Sequence, residues 1–307
     1  MLAFLQTDLI PKIPLAEWTE SGVDWITETF EWFFDPLKDV IEAMVGSLEL
    51  VFTTLPALLM VAILTAIAFF LAGWRVALFT VLGLLFIISL DLWEAAMQTL
   101  ALVLVAASVS LAIGIPIGII AAKSAAVEAT IRPILDVAQT MPAFVYLVPI
   151  VVLLGIGAGP GLIATVIFAM PPAVRLTMLG IQQVPRDTVE AAHAFGATPW
   201  QTLFKVELPL SLRTIMAGVN QVIMLSLSMV VIAGLAGAGG LGEPVVTGLS
   251  QLNVGTSFVG GVGIVVIAIM LDRVTRAMAD KKDRQGVSRI FSRRKRPEPG
   301  AAEGKAG

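Results

Sequence analysis

The sequence predicts an all-α protein that crosses a membrane about seven times. Three observations carry this reading. Of the 307 residues, 57% are hydrophobic and only 14% are charged, where a soluble domain carries about 25% charged residues. Several runs approaching 20 residues carry no charge, the length that spans a bilayer as a helix. Charge is also segregated by end. Residues 1–49 hold ten Asp/Glu against two Lys/Arg, and residues 272–307 hold eleven Lys/Arg against five Asp/Glu. Cysteine is absent, which excludes disulfides and thiol chemistry. No basic segment precedes the first apolar residues, so no removable signal peptide is expected.

Residues 1–15 read as irregular, with Pro11 and Pro14. From Trp18 to Leu48 apolar residues recur in steps of three and four, including Val23, Ile26, Phe30, Phe33, Phe34, Leu37, Ile41 and Val45. Asp24, Glu28, Glu31, Asp35, Asp39 and Glu42 fill the other face. Asp35-Pro36 reads as the cap and first position of a second helical segment. With Trp18, Trp25 and Trp32 the segment suits a membrane surface. Its acidic face suits packing against a partner equally well, and the sequence leaves both open.

Spans are then expected at residues 50–73, 76–90, 97–122, 142–156, 162–181, 214–235 and 258–271. The third is expected to break near Gly114-Ile-Pro116-Ile-Gly118. Residues 123–139 read as a loop, residues 155–161 as a Gly-rich turn and residues 236–257 as an outer loop. The chain after residue 277 reads as a basic, disordered tail. Seven spans place the two ends on opposite sides. The positive-inside rule assigns the tail to the cytoplasm and residues 1–49 to the outside. Arg75, Lys123, Arg132 and residues 185–209 then all fall inside, and of 20 Lys/Arg only Lys12 and Lys38 fall outside.

Between the fifth and sixth spans lies the polar stretch PRDTVEAAHAFGATPWQTLFKVELP, residues 185–209. Asp187 with Glu190 reads as a capping box for a first helix. Gly196 suits the left-handed position after that helix. Thr198, Pro199 and Gln201 read as the capping box and first turn of a second helix. Trp200, Leu203, Phe204 and Val206 fall mostly on one face of it. Pro209 marks a break or a new start. A helix-turn-helix between spans reads as a docking element, because Ala191 and Ala192 let another surface approach closely. Nucleic acid is excluded as its partner: Arg186 and Lys205 are outnumbered by Asp187, Glu190 and Glu207.

The same stretch resembles the EAA loop of permease subunits in binding-protein-dependent ABC importers. Glu190, Ala191, Ala192, Gly196, Val206, Leu208 and Pro209 keep that loop's spacing, with Val206 where isoleucine is usual. Further strings narrow the family: Met141-Pro-Ala-Phe-Val-Tyr-Leu-Val-Pro149, Ala194-Phe-Gly-Ala197, Thr214-Ile-Met-Ala-Gly-Val-Asn-Gln221, Leu227-Ser-Met-Val-Val-Ile-Ala233 and Gly239-Gly-Leu-Gly242. Over about residues 92–276 they resemble permeases of glycine betaine/proline betaine (quaternary-amine) importers. The resemblance implies the type I ABC importer permease fold and a homodimeric permease in the lipid of a prokaryotic inner membrane. It implies a solute-binding protein outside and two copies of a cytosolic ATPase, which would use ATP and Mg and receive the seven loop residues in a groove. Outside residues 92–276 only the general idea of an extra N-terminal segment carries over; composition and the expected spans divide the chain into an acidic segment 1–49, two helices at 50–91, a transporter domain 92–276 and a tail 277–307.

Polar groups within the spans are few. Asn220, Gln221, Ser226 and Ser228 in the sixth span either line a solute path or bond neighbouring helices. Arg175, toward the cytoplasmic end of the fifth span, is expected to snorkel or to pair. His193 is the only histidine and reads as a contact residue. No carboxylate dyad, metal-ligand cluster or nucleophile-base pair stands out, and no GxxxxGK[ST] is present. The chain therefore reads as a non-enzyme that binds no cofactor and no metal of its own. A cage of aromatic rings for a quaternary ammonium is not evident, Tyr146 being the only tyrosine. Choline, carnitine, proline or a sulfonium solute remains an alternative cargo. An ion-coupled secondary transporter or a membrane anchor remains an alternative class.

Overall fold

The computed structural model describes residues 13–293, with side chains described to residue 278. Among the described residues all regular structure is helical. Helix α1 (Leu15–Thr54) is followed by α2 (Ala57–Ala72), α3 (Trp74–Ser89), α4 (Trp93–Lys123), α5 (Ala125–Thr140), α6 (Ala143–Leu154) and α7 (Ala158–Gln182). Two short helices, α8 (Arg186–Ala194) and α9 (Pro199–Thr202), lead through a π turn (Leu203–Glu207) into α10 (Leu208–Ser228). Helices α11 (Val230–Leu235), α12 (Gly242–Ser250) and α13 (Val254–Arg293) complete the chain.

All seven expected apolar segments are helical, but they are not equal. Four stretches are long and apolar enough to cross a membrane: Trp93–Lys123, Ala158–Gln182, Pro199–Leu235 and Val254–Met278. The count reaches six if two bent pairs each form one span, α1 with α2 at 108° and α5 with α6 at 94°. The expected span at residues 50–73 is thus divided. Leu50–Thr54 belongs to α1, and Pro56 caps α2 in an extended conformation. The span at 142–156 is only the 12 residues of α6, about 18 Å at 1.5 Å per residue. Trp74–Ser89, at 16 residues, is another short apolar helix.

Helix α7 is the spine, packing most extensively against α4 on one side and α10 on the other. Both seams depend on absent side chains. A Cβ on Gly118 would lie 2.6 Å from the Val174 carbonyl oxygen, and one on Gly114 would lie 2.7 Å from Ala173 Cβ. On the other seam, a Cβ on Gly218 would approach the Pro172 carbonyl to 3.3 Å, and one on Gly180 would approach Ser211 to 3.1 Å. Small residues at such contacts let helix backbones meet where lipid offers little hydrophobic drive. The expected break at Gly114-Pro116-Gly118 is therefore absent: α4 runs on through Pro116, and its glycines serve the α7 seam. The largest core cluster joins Leu84 and Ile87 of α3, Met97, Leu100 and Val103 of α4, Val222 of α10 and Ile267 of α13.

Four further expectations change. Residues 125–140 form a helix rather than a loop. Ser124 caps it by accepting from the Val127 N–H, and an Arg132–Glu128 ion pair one turn apart stabilises its surface. The outer segment contains α12, seated on α11 where Gly242 meets the Val230 carbonyl. Helix α7 begins at Ala158, inside the expected Gly-rich turn. Helix α13 continues to Arg293, where a disordered tail was expected from residue 277. Residues 277–293 contain no proline and one glycine, and their Ala, Lys and Arg favour a helix. Residues 294–307 of that tail lie outside the described residues, as do residues 1–12.

The two segments expected in α1 are present, but the kink falls at Phe30 (φ −114°, ψ 18°) and Pro36 lies inside the second segment. Ile41 and Val45 pack against Leu102, Val105 and Leu162, so this part of α1 is fixed to the bundle. Trp18, Trp25 and Trp32 are exposed.

Gly118→Val is expected to destabilise the protein by about 1–3 kcal/mol through overpacking, read as earlier thermal unfolding in detergent. Gly46→Ala, where a Cβ meets nothing within 4 Å, is expected to cause no loss. Equal unfolding of the two variants would mean that the α4–α7 seam is not close-packed.

Candidate functional site

The polar stretch between α7 and α10 folds as a helix, a turn and a second helix. Pro185 caps α8 in an extended conformation with no side-chain hydrogen bond. The expected Asp187–Glu190 capping box therefore does not form, because Asp187 already lies within the first helical turn. Its charge still favours that helix end. The far end of α8 agrees with the sequence. Gly196 adopts φ +80°, its N–H donates to the His193 carbonyl (2.8 Å), and the Ala197 N–H donates to the Ala192 carbonyl (3.1 Å). This double bond pattern closes a helix and suits glycine. The Thr198–Gln201 capping box is present in both directions: the Gln201 N–H donates to Thr198 Oγ1 (3.3 Å), and the Thr198 N–H donates to Gln201 Oε1 (3.0 Å).

No residue of α8 is buried. Glu190 and Ala191 are open to solvent and Ala192 is half-buried. Beside them stand three exposed aromatic side chains: Phe195 (92%), Trp200 (69%) and Phe204 (58%). Trp200 and Phe204 stack with centroids 5.8 Å apart. Apolar groups this exposed on a short polar element mark a surface awaiting a partner. His193 is exposed, with Nδ1 3.3 Å from the Ala197 carbonyl, within its own loop.

Pro209 does not break the chain. The π turn before it bonds the Leu208 N–H to the Leu203 carbonyl, five residues back. This wider turn leads into α10 with Pro209 at its start, where a missing N–H costs little. Val206 and Leu208 are half-buried on this turn and Pro209 is exposed. The seven loop residues thus divide into a group on and just after α8 and a group at the start of α10.

The four polar residues of α10 do not converge. Asn220 Nδ2 donates to Asp272 Oδ1 (3.2 Å) and its Oδ1 accepts from Thr275 Oγ1 (2.8 Å). Arg276 also donates to Asp272, so Asn220 belongs to a cluster that ties α10 to α13. Ser226 is buried with no hydrogen-bond partner for its hydroxyl. Gln221 and Ser228 are exposed, and the Ser228 hydroxyl donates to the Met224 carbonyl. Ala217, Gln221, Met224 and Ser228 recur at steps of four, three and four, which gives α10 one open, mixed-polarity stripe. Arg175 of α7 pairs with Asp136 of α5, as a charge near a span end requires.

One feature of the loop is invisible to local reading. Glu207 is buried in the π turn and paired with Lys123, the last residue of α4. A charged residue beside Leu-Pro is a weak signal, and nothing local names a partner 84 residues away.

An apolar helical bundle holding one polar, aromatic-faced helical loop defines a multi-pass membrane protein with an exposed loop between its spans. The chain belongs to the family of binding-protein-dependent transport system inner membrane components, whose model matches residues 114–284. It is 48% identical to the glycine betaine transport system permease protein of Bacillus subtilis (strain 168), over 91% of this chain and 99% of that one. It is 49% identical to the glycine betaine/carnitine transport permease protein of Listeria monocytogenes serotype 1/2a (strain 10403S), over 89% of this chain and 98% of that one. A solved structure of the MetNI methionine ABC transporter in an inward-facing conformation (CY5 SeMet soak crystal form) shares the fold. Its TM-score is 0.55 at 23% identity, over 60% of this chain and 92% of that one. The chain is a multi-pass inner-membrane permease subunit of an ABC importer.

Asn220→Leu is expected to lower stability by about 0.6–1.7 kcal/mol, the range for an interhelical hydrogen bond in a membrane, read as earlier unfolding in detergent. Unchanged unfolding with lost transport would instead make Asn220 a residue of the solute path.

Proposed function

We propose that this chain is the permease of an importer for glycine betaine or a closely related compatible solute. The observation that carries the reading is the near-full-length identity to permeases named for glycine betaine transport. Carnitine is a second cargo, favoured by the name of one of those relatives. Two copies of the permease would enclose the path, with the open stripe of α10 facing it. Gln221 and Ser228 are then its polar lining, Ser226 lies behind it and Asn220 braces the wall. A solute-binding protein outside delivers cargo, and lipid covers the apolar outer faces.

Motion enters through the loop. A cytosolic ATPase, using ATP and Mg, would receive α8 through Glu190, Ala191 and Ala192, with Gly196 setting the angle to α9. Val206, Leu208 and Pro209 would pass the motion into α10. This chain then hydrolyses nothing and binds no nucleotide. The asymmetry of charge between the ends supports a cytoplasmic C-terminus and an extracytoplasmic N-terminus. In this reading residues 1–49 are the outer acidic segment and residues 50–91 two peripheral helices. Residues 92–276 are the transporter body, with residues 277–307 as a basic cytoplasmic extension.

The test is ATP-dependent uptake of labelled glycine betaine into liposomes containing the permease, its ATPase and its binding protein. Gly196→Pro forces φ to about −65° where +80° is needed and removes the N–H bonded to His193. It is expected to reduce uptake at least about ten-fold with the protein still in the membrane. Unchanged uptake would overturn the coupling role of the loop. Uptake of a different solute by the parent would replace the cargo alone.

A further inference from the structure

The docking loop touches the bundle at a narrow base. Helices α8 and α9 pack on each other and on the π turn, and the π turn packs on α10. Between the loop and the end of α4 lies a cavity of about 470 Å³, walled by Ile119, Ile120, Val189, Trp200 and Leu203. Apolar packing across that gap is therefore incomplete. A charged pair crosses it: Lys123, at the end of α4, is paired with Glu207, at the end of the π turn, and both line the cavity. The Glu207 side chain is 5% exposed and that of Lys123 is 46% exposed.

The position of this pair matters because of the turn that presents it. A π turn inserts one residue into the helical path, which rotates the segment on its N-terminal side by about 100° relative to the helix on its C-terminal side. The direction in which α8 and α9 point, relative to α10, is set at residues 203–207. Within that turn Leu203 and Glu207 face inward while Phe204 and Lys205 face out. Leu203 is 5% exposed and faces the cavity walled by Ile119 and Ile120. Glu207 is held by charge, and a buried carboxylate keeps its counter-charge because leaving it unpaired is costly.

We propose that the pair of buried Glu207 with half-exposed Lys123 is the second anchor of the docking loop. It fixes the π turn to the end of α4, so that movement delivered to α8 and α9 reaches α4 as well as α10. Glu207 and Lys123 are positioning residues that act through the orientation of the loop. The inference rests on the reading of this loop as the ATPase-docking element. Without the pair, the loop still binds its partner through the exposed faces of α8 and α9. It swings on the π turn, and work from the partner is lost before it reaches the spans.

The test measures solute uptake and ATP hydrolysis in the same liposomes, with the full chain, its ATPase and its binding protein. Glu207→Gln and Lys123→Gln are each expected to lower solute moved per ATP at least about five-fold. The exchanged pair Lys123→Glu with Glu207→Lys is expected to recover at least about half of the parent's ratio. Lys123→Gln decides the matter if the other variants reach the membrane poorly, because Lys123 is half-exposed and its loss leaves the backbone seams intact. A parent ratio in Lys123→Gln overturns the anchor while leaving the docking loop standing. Uptake and hydrolysis falling in equal proportion, without recovery in the exchanged pair, also overturns it. Parent uptake that needs no ATPase overturns the docking reading itself.

Discussion

The fold depends on how closely α7 can approach its two neighbours. Gly114 and Gly118 open α4 to α7, and Gly180 and Gly218 open α7 to α10. In lipid, burying apolar surface against another helix gains little over leaving it against acyl chains. Dispersion between atoms at contact distance has to hold the bundle instead, and it falls off steeply with even a small gap. A missing Cβ is then a structural requirement. It makes α4, α7 and α10 one packed body, from whose end the polar loop projects.

The loop that projects from this body is itself well closed. It is closed at both helices by different devices, a left-handed glycine after α8 and a reciprocal cap before α9. Its internal angle is therefore fixed while its outer face stays free. The exposed rings of Phe195, Trp200 and Phe204 leave apolar area uncovered on a polar element. The same loop runs without a break into α10, the helix with one face in the seam and another open along Gln221 and Ser228. A closed, exposed loop is thereby joined directly to a helix that is half buried and half open.

Much of this is legible in the amino-acid sequence. Gly196 and the Thr198–Gln201 box are local features, and local features are what a sequence states most plainly. The spacing of Glu190, Ala191, Ala192, Gly196, Val206, Leu208 and Pro209 points to the same loop. The misreadings concern residues with two local meanings. Gly114, Pro116 and Gly118 suggest a break, because glycine and proline weaken a helix. They lie instead in a continuous α4: α7 occupies the space beside Gly114 and Gly118, and Pro116 sits exposed within the helix. Pro209 leaves a break or a new start open, and it stands at the start of α10 after the π turn. Asp187 suggests a cap, but the helix has already started at Arg186, with Pro185 as its cap.

The sequence by itself determined that the chain is helical and membrane-crossing and that it carries one polar helix-turn-helix loop between spans, because hydrophobic run length and caps act over a few residues. Only the tertiary structure decided which of the seven apolar segments are long spans and which are short or bent. It also decided that Asn220 meets Asp272 and Thr275, and that Glu207 is buried against Lys123. The physical reason is the same in each case. A contact between residues 52 or 84 positions apart is fixed by how helices pack, and no local periodicity encodes it.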